Sequence, residues 1–239
     1  MQSAVMLYEM HAHTKETSPC SQLSAKQMVR LVKDKGYACL MITDHFSPDI
    51  YYAYTSKKAY QQRVRDYQFA GYRIAAEEGY RLGLTVLLGI EARLNGSVND
   101  YLVYGVTQEE LLDWGYPFHM DIREFATLVR SVGGFIAQAH PFRPFMTRTE
   151  KSCLDGIEVF NAHPQHNSHN DLAMSYAKEN GFEICLAGSD IHREDGVGGA
   201  GMLMPAATTT KQVAAHLRNG LAKIAWPPNQ DANTTAWAK

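Results

Sequence analysis

Two histidines one residue apart, His11 and His13, close the apolar run Val5-Met6-Leu7. A strand repeats every two residues, so both imidazoles would stand on one face about 7 Å apart and could converge on one metal ion. On its own such a pair is a common accident. Its meaning comes from where the other metal-competent side chains fall. Asp44 and His45 follow Leu40-Met41-Ile42-Thr43, and Glu91 follows Val86-Leu87-Leu88-Gly89-Ile90. His140 follows Phe135-Ile136-Ala137-Gln138-Ala139, and Asp190 with His192 follow Ile184-Cys185-Leu186-Ala187-Gly188-Ser189. Imidazoles mixed with carboxylates, without thiolates, suit Zn²⁺, Mn²⁺ or Fe²⁺. Five histidines with Glu91 and Asp190 exceed what one tetrahedral ion can use, so at least two divalent ions are expected. A carboxylate bridging two ions about 3.5–4 Å apart acidifies a shared water and neutralises charge on a phosphoryl or acyl oxygen, which is hydrolytic chemistry. The glycines at 196, 198, 199 and 201 lack the strand-then-helix setting of a nucleotide fingerprint and are read as a loop.

These side chains are scattered over about 180 positions, and something must gather them. Seven apolar runs read as strands: Ala4 to Met10, Ala38 to Thr43, Thr85 to Ile90, Tyr101 to Gly105, Phe135 to Ala139, Gly156 to Phe160 and Glu183 to Ala187. Amphipathic stretches separate them, and this alternation predicts βα units around a parallel sheet. Ser24 to Lys35 carries Ala25, Met28, Val29, Leu31 and Val32 at helical spacing, with Ser24 placed as N-cap and Gly36 as stop. Thr55 to Leu82 reads as one long, half-exposed helix, and Asp121 to Val132, Asn167 to Asn180 and Thr210 to Asn219 as further covering helices. In a parallel barrel all strand C-termini open on one face, so the candidate ligands would meet at one mouth. The expected organisation is a single barrel domain over residues 1–225 and a tail from Trp226, where Pro227 and Pro228 precede polar residues.

His11-Ala12-His13, Thr43-Asp44-His45, Gly89-Ile90-Glu91, Ala139-His140-Pro141 and Gly188-Ser189-Asp190-Ile191-His192 occur in the order and approximate spacing of the PHP superfamily, the polymerase and histidinol phosphatase domains. The chain resembles that family from about Val5 to Met204. The resemblance implies a distorted (βα)7 TIM-like barrel, with a site of two or three metals at the C-terminal ends of the strands, used for phosphoester hydrolysis. It carries His11, His13, His45, Glu91, His140, Asp190 and His192 over as ligands, and Asp44 as a partner orienting His45 through its ring N–H. Two positions depart from the family pattern. Tyr101 stands where members often supply a histidine, and Glu16 is the candidate for a ligand position shortly after the histidine pair. His119 could fill the gap left by Tyr101, but it precedes a helix and is read as structural.

Arg143, three residues after His140, is placed to reach a phosphate at the mouth, and Asn161 and His163 after the sixth strand are placed to meet substrate. The aromatic residues Phe46, Tyr51, Tyr52 and Tyr54 could wall the pocket. The expected enzyme is a metal-dependent phosphoesterase acting on a small phosphomonoester, histidinol-phosphate-like or a nucleotide. A metal-bridged hydroxide would attack phosphorus, with Arg143 taking up charge and Asp190 or a histidine moving the proton. An amidohydrolase-like reaction on a C–N bond and a non-catalytic module are the alternatives. A net charge of -2 over 239 residues gives no basic field to gather nucleic acid, so a small phosphorylated substrate is the expected partner. Cys20, Cys39, Cys153 and Cys185 form no Cys-x-x-Cys pair, and no apolar run approaches a membrane span, which together predict a cytoplasmic protein.

Overall fold

The apolar runs form strands because alternate residues can be buried on a pleated surface, and the amphipathic stretches between them form helices that bury one stripe. The structure, a computed structural model, describes residues 4–51 and 56–225, without the side chains of Ile50 and Tyr51. Thr55, Tyr52, Tyr54 and the tail from Trp226 lie outside the described residues, as does the side chain of Tyr51. The strands are β1 (Val5–Glu9), β2 (Cys39–Ile42), β3 (His45–Phe46), β4 (Thr85–Arg93), β5 (Asp100–Tyr104), β6 (Phe135–Gln138), β7 (Gly156–Asn161), β8 (Cys185–Gly188), β9 (Gly201–Pro205) and β10 (Lys223–Ala225). The helices are α1 (Ala25–Asp34), α2 (Pro48–Tyr51), α3 (Lys57–Arg63), α4 (Ala70–Leu82), α5 (Gln108–Asp113), α6 (Ile122–Ser131), α7 (Asn170–Glu179) and α8 (Thr210–Arg218).

One sheet runs in the order β10-β9-β1-β2-β4-β5-β6-β7-β8, with β3 beside β4. A parallel bridge between Ala12, just past β1, and Ile191, just past β8, brings its two sides together, so the sheet curls into a nearly closed barrel. It is not parallel throughout. β5 runs antiparallel to both β4 and β6, with Arg93 opposite Asp100 and Tyr101 opposite Gln138. The link from β4 to β5, residues 94–99, is too short for a crossover, which takes a dozen or more residues, so the chain turns back as a hairpin. β9 likewise runs against β1. β3, β9 and β10 have no counterpart among the seven expected strands.

Three helices start on boxes that the sequence spells out: Ser24 with Gln27, Thr107 with Glu110, and Asp121 with Glu124 each exchange side-chain and backbone hydrogen bonds. Helix α6 then sinks Phe125, Ala126 and Val129 against the sheet, and burying Phe125 contributes roughly 1.5–3 kcal/mol relative to leaving it in water. The expected long helix is broken into α3, a π-helical turn at Val64–Gln68, and α4. The cause is the loop after β1. Thr17 Oγ1 donates to the Tyr67 carbonyl at 3.1 Å and accepts from the Gly71 amide at 3.1 Å, so a foreign hydroxyl takes up ladder groups of the helix. Gly71 is required there, since a Cβ would fall 1.8 Å from Thr14 Oγ1 and 2.8 Å from Asp44 Oδ2.

The barrel is filled by Met10, Met41, Leu87, Leu102, Phe135 and Met202, with Val213, Ala214 and Leu217 of α8 packed against the same cluster. Helix α8 closes the end at which β5 finishes: Thr210 Oγ1 donates to the Leu88 carbonyl at 2.7 Å and accepts from the Gly105 amide at 2.8 Å. Among the described residues no helix is long and apolar enough to cross a membrane.

Candidate metal centre

The opposite end of the barrel collects the strand-end histidines and acids. Glu91, inside β4, lies at the middle: its Oε1 is 3.3 Å from His11 Nε2 and 3.0 Å from His140 Nε2, and its Oε2 is 3.5 Å from His13 Nε2 and 2.8 Å from His45 Nδ1. Asp190 gathers a second set, with Oδ1 3.4 Å from His11 Nε2 and 3.3 Å from both His13 Nε2 and His192 Nδ1. Two donors that each sit 2.0–2.2 Å from one ion, at a near-tetrahedral angle, are about 3.3 Å apart, which matches these separations. Three overlapping groups, His11/Glu91/His140, His11/His13/Asp190 and His13/His45/His192, each keep their ligand atoms within 4.8 Å of one another.

Backbone conformation delivers two of these residues. His140 (φ 27°) and Asp190 (φ 52°) both occupy the left-handed region that non-glycine residues rarely adopt, directly after β6 and β8. Gly188 makes the second turn feasible, since a Cβ there would come within 2.5 Å of His11 Cβ. Behind the ligands stands Glu158 of β7, fully buried. It accepts from His11 Nδ1 at 2.9 Å, from the His140 amide at 2.8 Å and from Asn161 Nδ2 at 3.1 Å. A carboxylate only accepts here, so Nδ1 of His11 carries a proton and Nε2 is the ring atom that faces the site. Glu9 accepts in the same way from the amides of His11 and Ser189, tying β1 to the turn that carries Asp190.

The electrostatics fit divalent ions. Burial raises the carboxyls of Glu91 and Asp190, but charge and hydrogen bonds overcome it. The His11 and His45 charges, with bonds to His11 and His140, hold Glu91 well below the usual range. The His11 charge, bonds to His13 and His192, and the Arg143 charge do the same for Asp190. Both acids are therefore buried anions. Around them five imidazoles crowd together, with ring centroids 4.4 Å apart for His13 and His45 and for His13 and His192, and 5.0 Å for His11 and His13. Burial and the neighbouring His192 and His45 charges push His13 well below its ordinary value, so it is a neutral donor. His11 Nε2, His13 Nε2 and His140 Nδ1 are buried with no hydrogen-bond partner among the described residues. Buried ring nitrogens without partners, with His11 Nε2 and His13 Nε2 turned toward the paired carboxylates, are what metal ligation uses.

A family model described as PHP-associated matches residues 167–221, from the start of α7 through α8. The fold is similar to a two-domain protein from Bacteroides vulgatus described as containing a PHP-like metal-dependent phosphoesterase, at 17% identity and a TM-score of 0.63, covering 94% of this chain and 65% of that one. The matched segment is PHP-associated, and the fold is that of a protein described as containing a PHP-like domain. Two other solved structures share this fold. PsfC from Pseudomonas syringae is 18% identical with a TM-score of 0.64, covering 94% of this chain and 92% of that one. The lesion-specific endonuclease Q from Pyrococcus furiosus is 12% identical with a TM-score of 0.59, covering 92% of this chain and 58% of that one. The chain thus spans less than two thirds of the Bacteroides and Pyrococcus proteins. No curated protein matches it in sequence.

Several residues read against the PHP pattern sit elsewhere. Glu16 turns to the Ala25 amide, at 3.0 and 3.2 Å, and serves the first turn of α1 rather than any of the three ligand groups. Asp44 does not orient the His45 ring. It accepts from the Thr14 amide and hydroxyl and from Ser18 Oγ, each at 2.7 Å, and Ser18 Oγ in turn accepts from the His45 amide at 3.0 Å. Tyr101 belongs to the apolar layer between sheet and helices and bonds Thr149 through its hydroxyl, because side chains alternate along β5 and it is Leu102 and Tyr104 that turn into the barrel. His119 is exposed and pairs with Asn95, apart from the centre.

Arg143, Asn161 and His163 fall beside the ligands. Arg143 Nη2 donates to Asp190 Oδ2 at 2.7 Å and to Asn161 Oδ1 at 3.0 Å. Asn161 is buried, and its amide is used up internally by Glu158, Asp190, Arg143 and Ser168. It therefore frames the site. His163 lines the cavity, and its Nδ1 accepts from the Gln165 amide at 3.1 Å, so Nε2 carries the proton. Burial and the balance of nearby charges lower His163 to about 4, which keeps it neutral. Sequence reasoning passed over Glu158 and Glu9. For the two acids the available signal was a lone glutamate inside an apolar strand run, in Ile157-Glu158-Val159 and Tyr8-Glu9-Met10.

Proposed function

We propose that this chain is a metal-dependent hydrolase of phosphoric esters and that its substrate is a small phosphomonoester. The observation that carries the reading is the convergence of five histidines on Glu91 and Asp190, with Arg143 held 2.7 Å from Asp190 at the wall of an open cavity of about 300 Å³. That size suits a compact substrate. Two or three divalent ions held by His11, His13, His45, Glu91, His140, Asp190 and His192 would supply the Lewis acidity that acidifies a water and screens a phosphoryl group.

The chain's own side chains do the rest. Arg143, fixed by Asp190 and Asn161, offers its guanidinium to a phosphate oxygen in the planar geometry that suits bidentate pairing. His163 presents its Nε2–H to the leaving oxygen or to a neighbouring hydroxyl. Asp190, held anionic with both oxygens engaged, acts as ligand and as anchor for Arg143, which makes it a poor proton carrier. Glu158 and Asn161 hold these groups in place, and their partners on β1, β6 and β8 keep the reacting geometry fixed before substrate arrives.

A panel of phosphomonoesters, assayed with Mn²⁺ and with Zn²⁺ beside amide and deaminase substrates and a DNA duplex carrying an abasic lesion, tests the proposal. Turnover confined to the monoesters is the expected result. The fold likeness to endonuclease Q, which is solved with an abasic duplex, is the reason for the DNA arm. Faster cleavage of the duplex than of any monoester overturns the small-substrate reading, and faster C–N hydrolysis overturns the phosphoesterase reading itself.

A further inference from the structure

Beyond the ligands, the cavity wall carries a second arginine that the proposed chemistry leaves unused. Arg93 follows Glu91 by two residues in β4, so the two side chains share one face of the strand about 7 Å apart, with Ala92 between them turned to the outer layer. Arg93 therefore stands one step further out than the acid at the middle of the metal centre, and it lines the same cavity.

Its guanidinium is aimed by a partner across the sheet. Asp100, directly opposite on β5, accepts from Nε at 2.7 Å and from Nη2 at 2.6 Å. The Asp100 backbone is fixed in turn, its carbonyl accepting from the Ala139 amide at 3.0 Å, one residue before His140. The Asp100 side chain is 4% exposed and that of Arg93 is 40%, so the carboxylate is spent on the arginine while the arginine stays open to the cavity. Pairing through Nε and Nη2 occupies one edge of the guanidinium. The other edge, Nη1 with the second hydrogen of Nη2, has no partner among the described residues and keeps the fork that matches two oxygens of an oxyanion.

Arg143 is anchored elsewhere on the same wall. It is held by Asp190 and Asn161, on the side of β7 and β8, whereas Arg93 is held on the side of β4 and β5. Apart from Glu91 and Asp190, Asp100 is the one acid on the described cavity wall, against Arg93, Arg143 and Arg193. A phosphate seated on the ions and Arg143 would leave Arg93 and this surplus of positive charge without an anion.

We propose that Arg93 is a specificity residue that binds a second oxyanion on the substrate, so that the preferred phosphomonoester carries a carboxylate or a further phosphate at its other end. Asp100 positions it. The inference rests on the phosphoesterase reading above and narrows its substrate class.

Hydrolysis-resistant analogues test it by titration calorimetry on the metal-loaded protein. Propylphosphonate, 3-phosphonopropionate and propane-1,3-diphosphonate share one phosphonate and differ in the far group. The expected result is binding at least about tenfold tighter for one or both of the doubly anionic compounds than for propylphosphonate, and their order names the second group. Replacing Arg93 alone would leave Asp100 buried and unpaired, so the comparison is the double variant Arg93→Gln with Asp100→Asn. It removes one charge of each sign and leaves the net charge unchanged, and in it the preference should fall to near unity. Equal binding of all three by the wild type overturns the inference without any variant, and a preference that survives in the double variant overturns the role of Arg93. In both cases propylphosphonate still binds and the phosphoesterase reading stands. No binding of any of the three overturns both.

Discussion

At the closed end of the barrel, the buried polar groups around α8 have partners. Thr210 bridges Leu88 and Gly105, the Tyr104 hydroxyl donates to the Met10 carbonyl at 2.9 Å, and Leu217, Val213 and Ala214 pack without exposure. At the open end, three buried ring nitrogens lack partners among the described residues, two acids are held ionised out of water, and two non-glycine residues sit at positive φ. One end is built from satisfied groups and apolar contact, and contributes stability. The other concentrates like groups that repel or go unpaired until something else binds, which is how a barrel reserves one face for chemistry.

The contrast is broken most severely at the open end. Glu91→Gln should lower turnover by about a thousandfold, on the order of 4 kcal/mol, and reduce bound metal, while the far-ultraviolet circular dichroism remains that of a folded protein. Steady-state kinetics with metal analysis checks this, and near-normal turnover would show that Glu91 is not central. Leu217→Ala at the closed end should do the reverse. Loss of a fully buried leucine costs about 2–5 kcal/mol of stability, read by denaturant unfolding, with turnover per folded molecule unchanged at permissive temperature.

Between these extremes lies Glu158→Gln. It should weaken metal binding roughly 10- to 100-fold by loosening His11 and the turn at His140, and titration with Zn²⁺ measures it. The smallest effect belongs to Glu110, which partly exposed surroundings leave near Lys211 at 2.7 Å. Burial raises its carboxyl, but Lys211 and the Thr107 amide outweigh that and hold it below the usual value. A depressed acid stabilises above its unfolded pKa and loses that contribution as pH falls through its folded one. Glu110→Gln should therefore cost about 0.5 kcal/mol near pH 7, shrinking toward nothing in acid, and unfolding curves at several pH values would reveal a flat difference if the pair contributes nothing.

The strand-end ligands were visible in the sequence because each is a polar residue closing an apolar run, a pattern written in adjacent positions. Helix starts were visible for the same reason, as at Ser24 and Asp121. What escaped depends on contacts between distant segments. The reversal of β5 follows from a six-residue link whose strands look like any others, and which face of β5 Tyr101 takes, the helix side, is set by pairing with distant strands. Asp44 looked like a ring partner, yet Thr14 and Ser18 reach it first, and Glu16 found a helix amide closer than any ion site. Glu158 read as one polar residue in a strand, because nothing local says that its neighbours across the barrel are His11 and His140.

The hairpin between β4 and β5 carries a consequence for how such a molecule can diversify. Most connections on a barrel are helices that also cover the sheet, so altering them disturbs the core. Residues 94–99 hold no helix: Leu94 packs in the core and Asn99 bonds Thr147 and Thr149, which leaves the tip around Gly96, and they join Arg93 to Asp100, both of which line the cavity. Lengthening that turn would reshape what the pocket admits while leaving the scaffold untouched, making it the natural place to graft a new specificity.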